Sequence, residues 1–125
     1  MDAWIREALI TLNLPQWEVT VIRDAADVEA WADIAAHSQA DTADLRLSHD
    51  FWKQESSKQR EILTHELIHL ATCRADQVIE SLEDTIGKIG WAILEPQYEN
   101  AAERAVEHIA KLLAPSLRMP DFPTQ

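Results

Sequence analysis

The sequence predicts an α+β fold, in which one helix and a small sheet of about three strands precede a helical second half. Three observations lead to this class. Residues 2–13 repeat apolar side chains at helical spacing, residues 17–23 and 43–49 alternate as strands do, and helical spacing returns over 57–113. Because strands and helices are segregated along the chain, the pattern favours an α+β layout over an alternating one.

The first helix is predicted over residues 2–13, where apolar side chains recur on one face. Pro15 ends this helix, because proline lacks the backbone N–H that a helix interior needs. The apolar face consists of Trp4, Ile5, Ala8, Leu9 and Leu12.

Two stretches are predicted as strands, and a third strand is expected over 31–36. WEVTVIR, residues 17–23, is rich in β-branched side chains and alternates roughly. ADLRLSH, residues 43–49, alternates more cleanly, with Ala43, Leu45, Leu47 and His49 on one face. This pattern predicts one strand face turned toward a core.

Helical spacing in the second half predicts three helices, over about 57–73, 75–94 and 97–113. Ser56 and Gln59 have the spacing of a capping box at the start of the first of them. The tail from residue 115 onward, PSLRMPDFPTQ, is broken by prolines and is expected to be extended.

Composition and charge limit the classes of protein to which the chain can belong. The 125 residues are expected to form a single domain, 1–125, and 46% hydrophobic with 26% charged residues indicates a globular chain. No apolar run approaches the ~20 residues of a membrane span. The net charge of −11 argues against nucleic acid and anionic membranes as partners. One cysteine, Cys73, excludes an intramolecular disulfide and favours a cytoplasmic location.

The stretch LTHELIHLAT, residues 63–72, contains two histidines and a glutamate at the spacing of a zinc site. At about 100° per residue, its leucines share one face, and His65 and His69 lie one turn apart on the opposite face. Both rings can therefore reach one zinc ion at about 2.0–2.1 Å. Glu66 lies further round the helix, where it is placed to hold a zinc-bound water and not to act as an easy third ligand.

A hydrolytic zinc site needs a third protein ligand. Thr72 and Ala75 stand where a metzincin would have glycine and histidine, so that class is excluded. The helix over 97–113 offers Glu99 within its apolar stripe, Glu103 at the edge and Glu107 outside it, the last expected to be solvated. That stripe is formed by Ala102, Val106, Ile109 and Leu113. Periodicity leaves Glu99 and Glu103 both open.

THELIHLAT, followed 34 residues after its second histidine by ERAVEHIAKLLAP, resembles small gluzincin-type metallopeptidases, and among them the ImmA/IrrE-type and phage-encoded minimal peptidases. The resemblance implies a zincin-like domain whose C-terminal helices carry the third ligand, with Glu103 in that role. It also implies that the strand over 43–49 borders the cleft and pairs with the substrate backbone.

The function implied is a zinc-dependent metalloendopeptidase that hydrolyses a protein or peptide substrate through a metal-activated water. Glu66 would be the general base, and Tyr98 is a possible donor to the developing oxyanion. The alternative is a zinc-binding, non-catalytic regulatory protein that binds a partner through its acidic surface. Retention of Glu66 favours the enzyme, because a structural zinc site needs no base.

Other chemistry-bearing residues have simpler interpretations. Cys73 is expected to be a small buried group, and His49 a surface histidine. Asp24 and Asp27 are expected to cap a helix or turn. The tryptophans are expected in the core, at positions Trp4, Trp17, Trp31, Trp52 and Trp91.

Overall fold

The computed structural model describes residues 1–23 and 30–122, and over these ranges the α+β prediction is confirmed. The elements are α1 (Asp2–Thr11), β1 (Glu18–Ile22), β2 (Ala32–His37), β3 (Thr42–Leu47), α2 (Ser56–Glu80) and α3 (Glu83–Leu113). Short 3₁₀ helices span His49–Lys53 and Ala114–Ser116. Asp24 and Asp27 lie outside the described residues. None of the described helices combines the length and apolar character needed to cross a membrane.

The strands form a mixed sheet in the order β1-β3-β2. β3 runs parallel to β1 and antiparallel to β2, so Leu45 lies between Val21 on one side and Ile34 on the other. The alternation predicted for β3 is confirmed, since Ala43, Leu45 and Leu47 are all buried. The third strand, expected over 31–36, is β2.

The central position of β3 overturns one expectation. Both of its edges are paired, with β1 over residues 42–46 and with β2 over 42–47. A strand with two paired neighbours has no free backbone N–H or C=O groups to offer an incoming peptide. The implied role of the strand over 43–49 as the substrate-pairing strand is therefore wrong, and β2 is the edge strand nearer to α2.

The core joins α1, one face of the sheet and α2. Trp4 and Trp17 are buried in it as predicted, and the indole N–H of Trp4 donates to the carbonyl of Arg118 at 2.8 Å, which ties the tail to α1. Trp52 and Trp91 are half-buried, and Trp31 is 42% exposed, so the prediction of five core tryptophans is wrong for Trp31.

α2 is longer than predicted, because it continues past residue 73 to Glu80. Residues 56–80 contain no proline or glycine, so nothing in the backbone interrupts the helix at 74. The capping box is also wrong: Glu55 is the N-cap residue and makes no side-chain cap bond. The amide of Gln59 donates instead to the carbonyl of Phe51 at 3.3 Å, which secures the preceding 3₁₀ helix.

The helix predicted over 75–94 is divided between α2 and α3, and α3 continues through Pro96 into the helix predicted over 97–113. The interruption occurs at Gly87, whose φ of 82° is a conformation that L side chains rarely adopt. Further along, Val106 and Ala110 pack against Ile68 of α2. Ile109 is 36% exposed, so the stripe that packs on α2 is rotated from the predicted one.

Candidate metal centre

His65 and His69 lie one turn apart on α2, on the side opposite its core-facing leucines, as predicted. Leu63 and Leu67 are fully buried and fix the rotation of the helix about its axis. The ring centroids of the two histidines are 5.1 Å apart, and both side chains are mostly buried. The packing of one helical face thus presents two imidazoles together on the other.

Glu103 of α3 reaches both histidines. One carboxylate oxygen lies 3.2 Å from Nε2 of His65, and the other lies 3.0 Å from Nε2 of His69. The two helices run antiparallel, and the small core of Ile68, Val106 and Ala110 holds them together beside this contact. Of the two glutamates that periodicity left open, Glu103 is therefore the one that meets the histidine pair.

Glu107 lies one turn beyond Glu103 and contacts the other nitrogen of His65. The Nδ1–H of His65 donates to the Glu107 carboxylate at 2.7 Å, so the expectation of a merely solvated Glu107 is wrong. Burial raises the pKa of Glu107, but the hydrogen bond and charge of His65 and the nearby Lys111 outweigh it, and the net pKa is lowered. The other ring nitrogen of His65, Nε2, lies within hydrogen-bond distance of the Glu103 carboxylate, at 3.2 Å.

Glu66 turns into the space beside the histidine pair and is only 7% exposed. Its carboxyl has no hydrogen-bond partner among residues 1–23 and 30–122. Burial, followed by the charges of Glu103 and Asp33, raises the pKa of Glu66 to about 8. Asp33 itself is held on β2 by the Arg46 guanidinium, with Nε donating at 2.8 Å.

His65, Glu66 and His69 form a group that could hold a metal ion. One ligand atom from each of His65, Glu66 and His69 lies within 4.8 Å of the others. In a tetrahedral zinc site with bonds of about 2.0–2.1 Å, neighbouring ligand atoms lie roughly 3.3 Å apart. The contacts of Glu103 with the two Nε2 atoms, at 3.2 and 3.0 Å, are close to that separation. Burial lowers the pKa of His69, while Glu103 opposes this effect, and the lowered pKa favours the neutral imidazole that binds metals.

A cleft of about 390 Å³ opens onto these side chains. Its far wall is the start of β2 with Trp31 and Ala32, and its near wall is α2 with Lys58 and Ile62. The ammonium of Lys58 lies 4.5 Å from the centre of the Trp31 ring, which joins the two walls at one end. Sequence reasoning missed Trp31 and Lys58, because only the pairing of strands and helices brings residues so distant along the chain together.

Tyr98 and Glu99 do not reach the cavity that contains Glu66. Glu99 is exposed, so its predicted place on a buried face is wrong. The hydroxyl of Tyr98 donates to Asp76 at 2.6 Å, and this hydrogen bond, followed by burial and the charges of Asp76 and Glu80, raises the pKa of Tyr98 to about 12. Both residues line a neighbouring groove between α2 and α3.

The remaining candidates lie apart from this centre. His49 is exposed in the first 3₁₀ helix, as expected of a surface histidine. Cys73 is half-buried against the main core rather than fully buried, and burial raises the pKa of its thiol. A raised pKa disfavours the thiolate, so Cys73 has no feature of a nucleophile.

Comparison with models of protein families, with curated proteins and with solved structures finds no match to this chain.

Proposed function

We propose that the protein is a zinc-dependent metallopeptidase that hydrolyses peptide bonds in a protein or peptide substrate. The observation that carries this proposal is the meeting of Glu103 with Nε2 of both His65 and His69, at 3.2 and 3.0 Å, beside the buried and unpartnered carboxyl of Glu66. A site that only bound metal for structural reasons would not need the second carboxyl group that Glu66 places on the wall of the same cleft, because a structural site uses no general base.

The three ligands in this proposal are His65, His69 and Glu103. A zinc ion held by them would supply a Lewis acid that polarises the substrate carbonyl and acidifies a water. Glu107 fixes the orientation of the His65 ring and keeps its proton on Nδ1, so that Nε2 remains a ligand.

Glu66 is the general base of the proposed reaction. Its carboxylate accepts the proton that the attacking water loses as the new C–O bond forms. The same proton then passes to the amide nitrogen as the C–N bond breaks, so that the leaving group departs as a neutral amine and Glu66 is regenerated. A positive charge at the histidines would favour the ionised form of Glu66, which burial alone disfavours.

The substrate would lie along the cleft between β2 and α2. Only the β3 side of β2 is paired among the described strands, so its other edge can pair with an extended peptide. The fold proposed is zincin-like, with the likeness to gluzincin-type peptidases carried by His65, Glu66, His69 and Glu103. The single cysteine suits a cytoplasmic enzyme.

Metal analysis together with a proteolysis assay tests the proposal. Protein purified without chelators should carry about one zinc per chain, and it should cleave a degenerate pool of internally quenched peptides. Glu66→Gln should keep the zinc and lose roughly 100- to 10,000-fold in rate, since the base is gone and the ligands remain. Glu55→Gln, an equal charge change at the start of the same helix, is the matched control. Protein that takes up no metal on titration would refute the proposal.

The second candidate function is a non-catalytic zinc protein that binds a partner through an acidic surface. The neighbouring groove favours it, because six carboxylates and, among residues 1–23 and 30–122, no lysine or arginine line that groove. Equal behaviour of wild type and Glu66→Gln in every peptide-cleavage assay, with zinc bound in both, would select this candidate over the peptidase.

A further inference from the structure

β1 lies at the edge of the sheet that is farther from β2, and one of its own edges is free. Its pairing with β3 occupies one side, and no strand within residues 1–23 and 30–122 pairs with the other side. The backbone groups of alternate residues face β3, starting with Glu18, whose N–H donates to the carbonyl of Asp41 at 2.9 Å. The backbone N–H and C=O groups of Val19 and Val21 therefore point away from the sheet.

This free edge has none of the features that usually keep edge strands from pairing. Natural edge strands are commonly interrupted by a bulge or carry lysine or proline. The strand EVTVI contains neither lysine nor proline, and its register with β3 is continuous from Glu18 to Ile22. Ile22 is also 39% exposed. The edge is therefore suited to pairing with another strand.

A groove of about 700 Å³ lies beside this edge, between β1 and α1. We call it the β1 groove, and its walls include residues 18–21 of β1 together with the α1 residues Asp2, Ile5, Arg6, Leu9 and Ile10. None of the proposed metal ligands, all of which the structure describes, lines this groove. An added strand would thus find space between the free edge and α1, away from the metal centre.

The β1 groove contains charges of both signs. Asp2 and Arg6 come from α1, and Glu18 comes from β1. Over residues 1–23 and 30–122, none of these three side chains takes part in an ion pair or a hydrogen bond. A uniformly basic or uniformly acidic partner would leave one sign unmatched. A second copy of the chain offers both signs, and two-fold symmetry lets each group meet the opposite charge of the other copy.

The β1 strand is also complementary to itself. In an antiparallel pair centred on Thr20, Thr20 faces the same residue of the copy, Val19 faces the copy's Val21, and no two like charges stand opposite each other. Glu18 faces the copy's Ile22. The two valines are the residues whose backbone groups point outward, so this register forms hydrogen bonds without disturbing those to β3.

We propose that two copies of the chain associate through the free edges of their β1 strands, so that the two sheets join into one and each copy covers the other's β1 groove. The contact leaves β2 and the cleft of each copy open, and it does not depend on the proposed peptidase activity. The net charge of −11 on each copy opposes association, but salt screens this repulsion beyond about 8 Å at physiological ionic strength.

Sedimentation velocity of the full chain at physiological salt, from micromolar to millimolar concentration, tests the association. We expect a monomer–dimer equilibrium that shifts to the dimer as concentration rises. Amide hydrogen exchange should slow at Val19 and Val21 over the same range, because their outward N–H groups become hydrogen-bonded in the dimer. A monomer at every concentration, or a dimer in which these two amides stay unprotected, would overturn the proposal.

A charge swap at Thr20 tests the register. Thr20 is exposed, so Thr20→Lys and Thr20→Glu leave the core untouched, which circular dichroism can check. Each variant alone places like charges opposite each other and should weaken dimerisation roughly 3- to 10-fold. An equimolar mixture of the two should recover the affinity of the wild type, because opposite charges then face each other.

Ser57→Lys and Ser57→Glu are the matched controls, since Ser57 is exposed on α2 and the net charge changes equally. Both should dimerise as the wild type does. Equal weakening by the Ser57 variants would indicate only general surface charge. Unchanged dimerisation of the Thr20 variants, or a mixture that does not recover affinity, would place the contact elsewhere, and each of these results would overturn the proposal.

Discussion

The two halves of α2 have opposite environments. In the first half, Leu63 and Leu67 are fully buried against the sheet and α1. In the second half, no residue from 71 onward is buried, and the same holds along α3 as far as residue 105. We call residues 74–101 the helical arm. Its apolar side chains include Ile89 at 82% exposure.

This difference in burial gives the two regions of the α2–α3 helix pair different roles. The proposed metal centre would need ligands fixed to within a fraction of an ångström, and the dense packing on the reverse face of α2 can supply that precision. The arm contributes little to the core, and its side chains are left free to contact another molecule. The histidine pair lies between these two regions, at the point where buried packing gives way to the exposed arm.

The largest expected effect comes from a matched pair of truncations across the two regions. Leu67→Ala should destabilise the fold by about 2–5 kcal/mol, because it removes a fully buried side chain and leaves a cavity. Ile89→Ala should change the free energy of unfolding by less than about 0.5 kcal/mol, since that side chain contacts mainly water. Urea denaturation of both variants measures the difference, and comparable losses would mean that the arm is packed against a core after all.

The sequence predicted the first region well for a physical reason. The 3.6-residue period places Leu67 and His69 on opposite sides of one helix, and this relation needs no knowledge of the rest of the fold. On α3 the predicted stripe is right at Val106, which is buried, and wrong at Ile109, which is 36% exposed. The sequence of α3 offers more than one apolar face, and the face that packs on α2 is the one that brings Val106 and Ala110 against Ile68.

The second prediction compares two glutamates one turn apart on α3. Glu103→Ala should weaken zinc binding more than roughly 100-fold, beyond the effect typical of an indirect partner, because it removes one of three protein ligands. Glu99→Ala should weaken it less than roughly tenfold, since Glu99 is exposed and only lines the groove. Competition with a chromogenic chelator measures both affinities. A larger loss for Glu99→Ala would reverse the assignment of the third ligand.

The third prediction concerns Glu107, which in the proposed site would act on the metal only through its contact with His65. Glu107→Ala should weaken zinc binding roughly 10- to 100-fold, because the His65 ring loses the acceptor that fixes its orientation and proton. Glu107→Gln keeps an acceptor oxygen and should recover part of that loss. If both variants bind zinc as the wild type does, the 2.7 Å contact has no positioning role.

The strand that borders the cleft could not have been identified from the sequence alone. The alternation of Ala43, Leu45 and Leu47 shows that one face of β3 is buried, but alternation is the same for a central strand and for an edge strand. The order β1-β3-β2 arises from pairing between distant segments. The contact of Glu107 with His65 could not be predicted from the sequence either, since it depends on how α3 lies across α2.

The smallest expected effect tests the independence of the arm, through two glycines three residues apart. At Gly87 an added Cβ would meet nothing within 4 Å, so the cost of Gly87→Ala comes from the backbone alone, whose φ of 82° and ψ of 170° lie in a region nearly confined to glycine, at about 1–3 kcal/mol. Gly90 has no such φ, and an added Cβ would lie 3.4 Å from that of Ile86, an ordinary contact. Gly90→Ala should therefore stabilise the arm by up to about 1 kcal/mol.

Because the arm can open without unfolding the core, amide hydrogen exchange over 88–95 should shift in opposite directions in the two variants, while the amides of Leu63 and Leu67 keep their protection. A shift of equal size in the exchange of those leucine amides would show that arm and core unfold as one unit, and the division of α2 into a buried half and an exposed half would then have no energetic meaning.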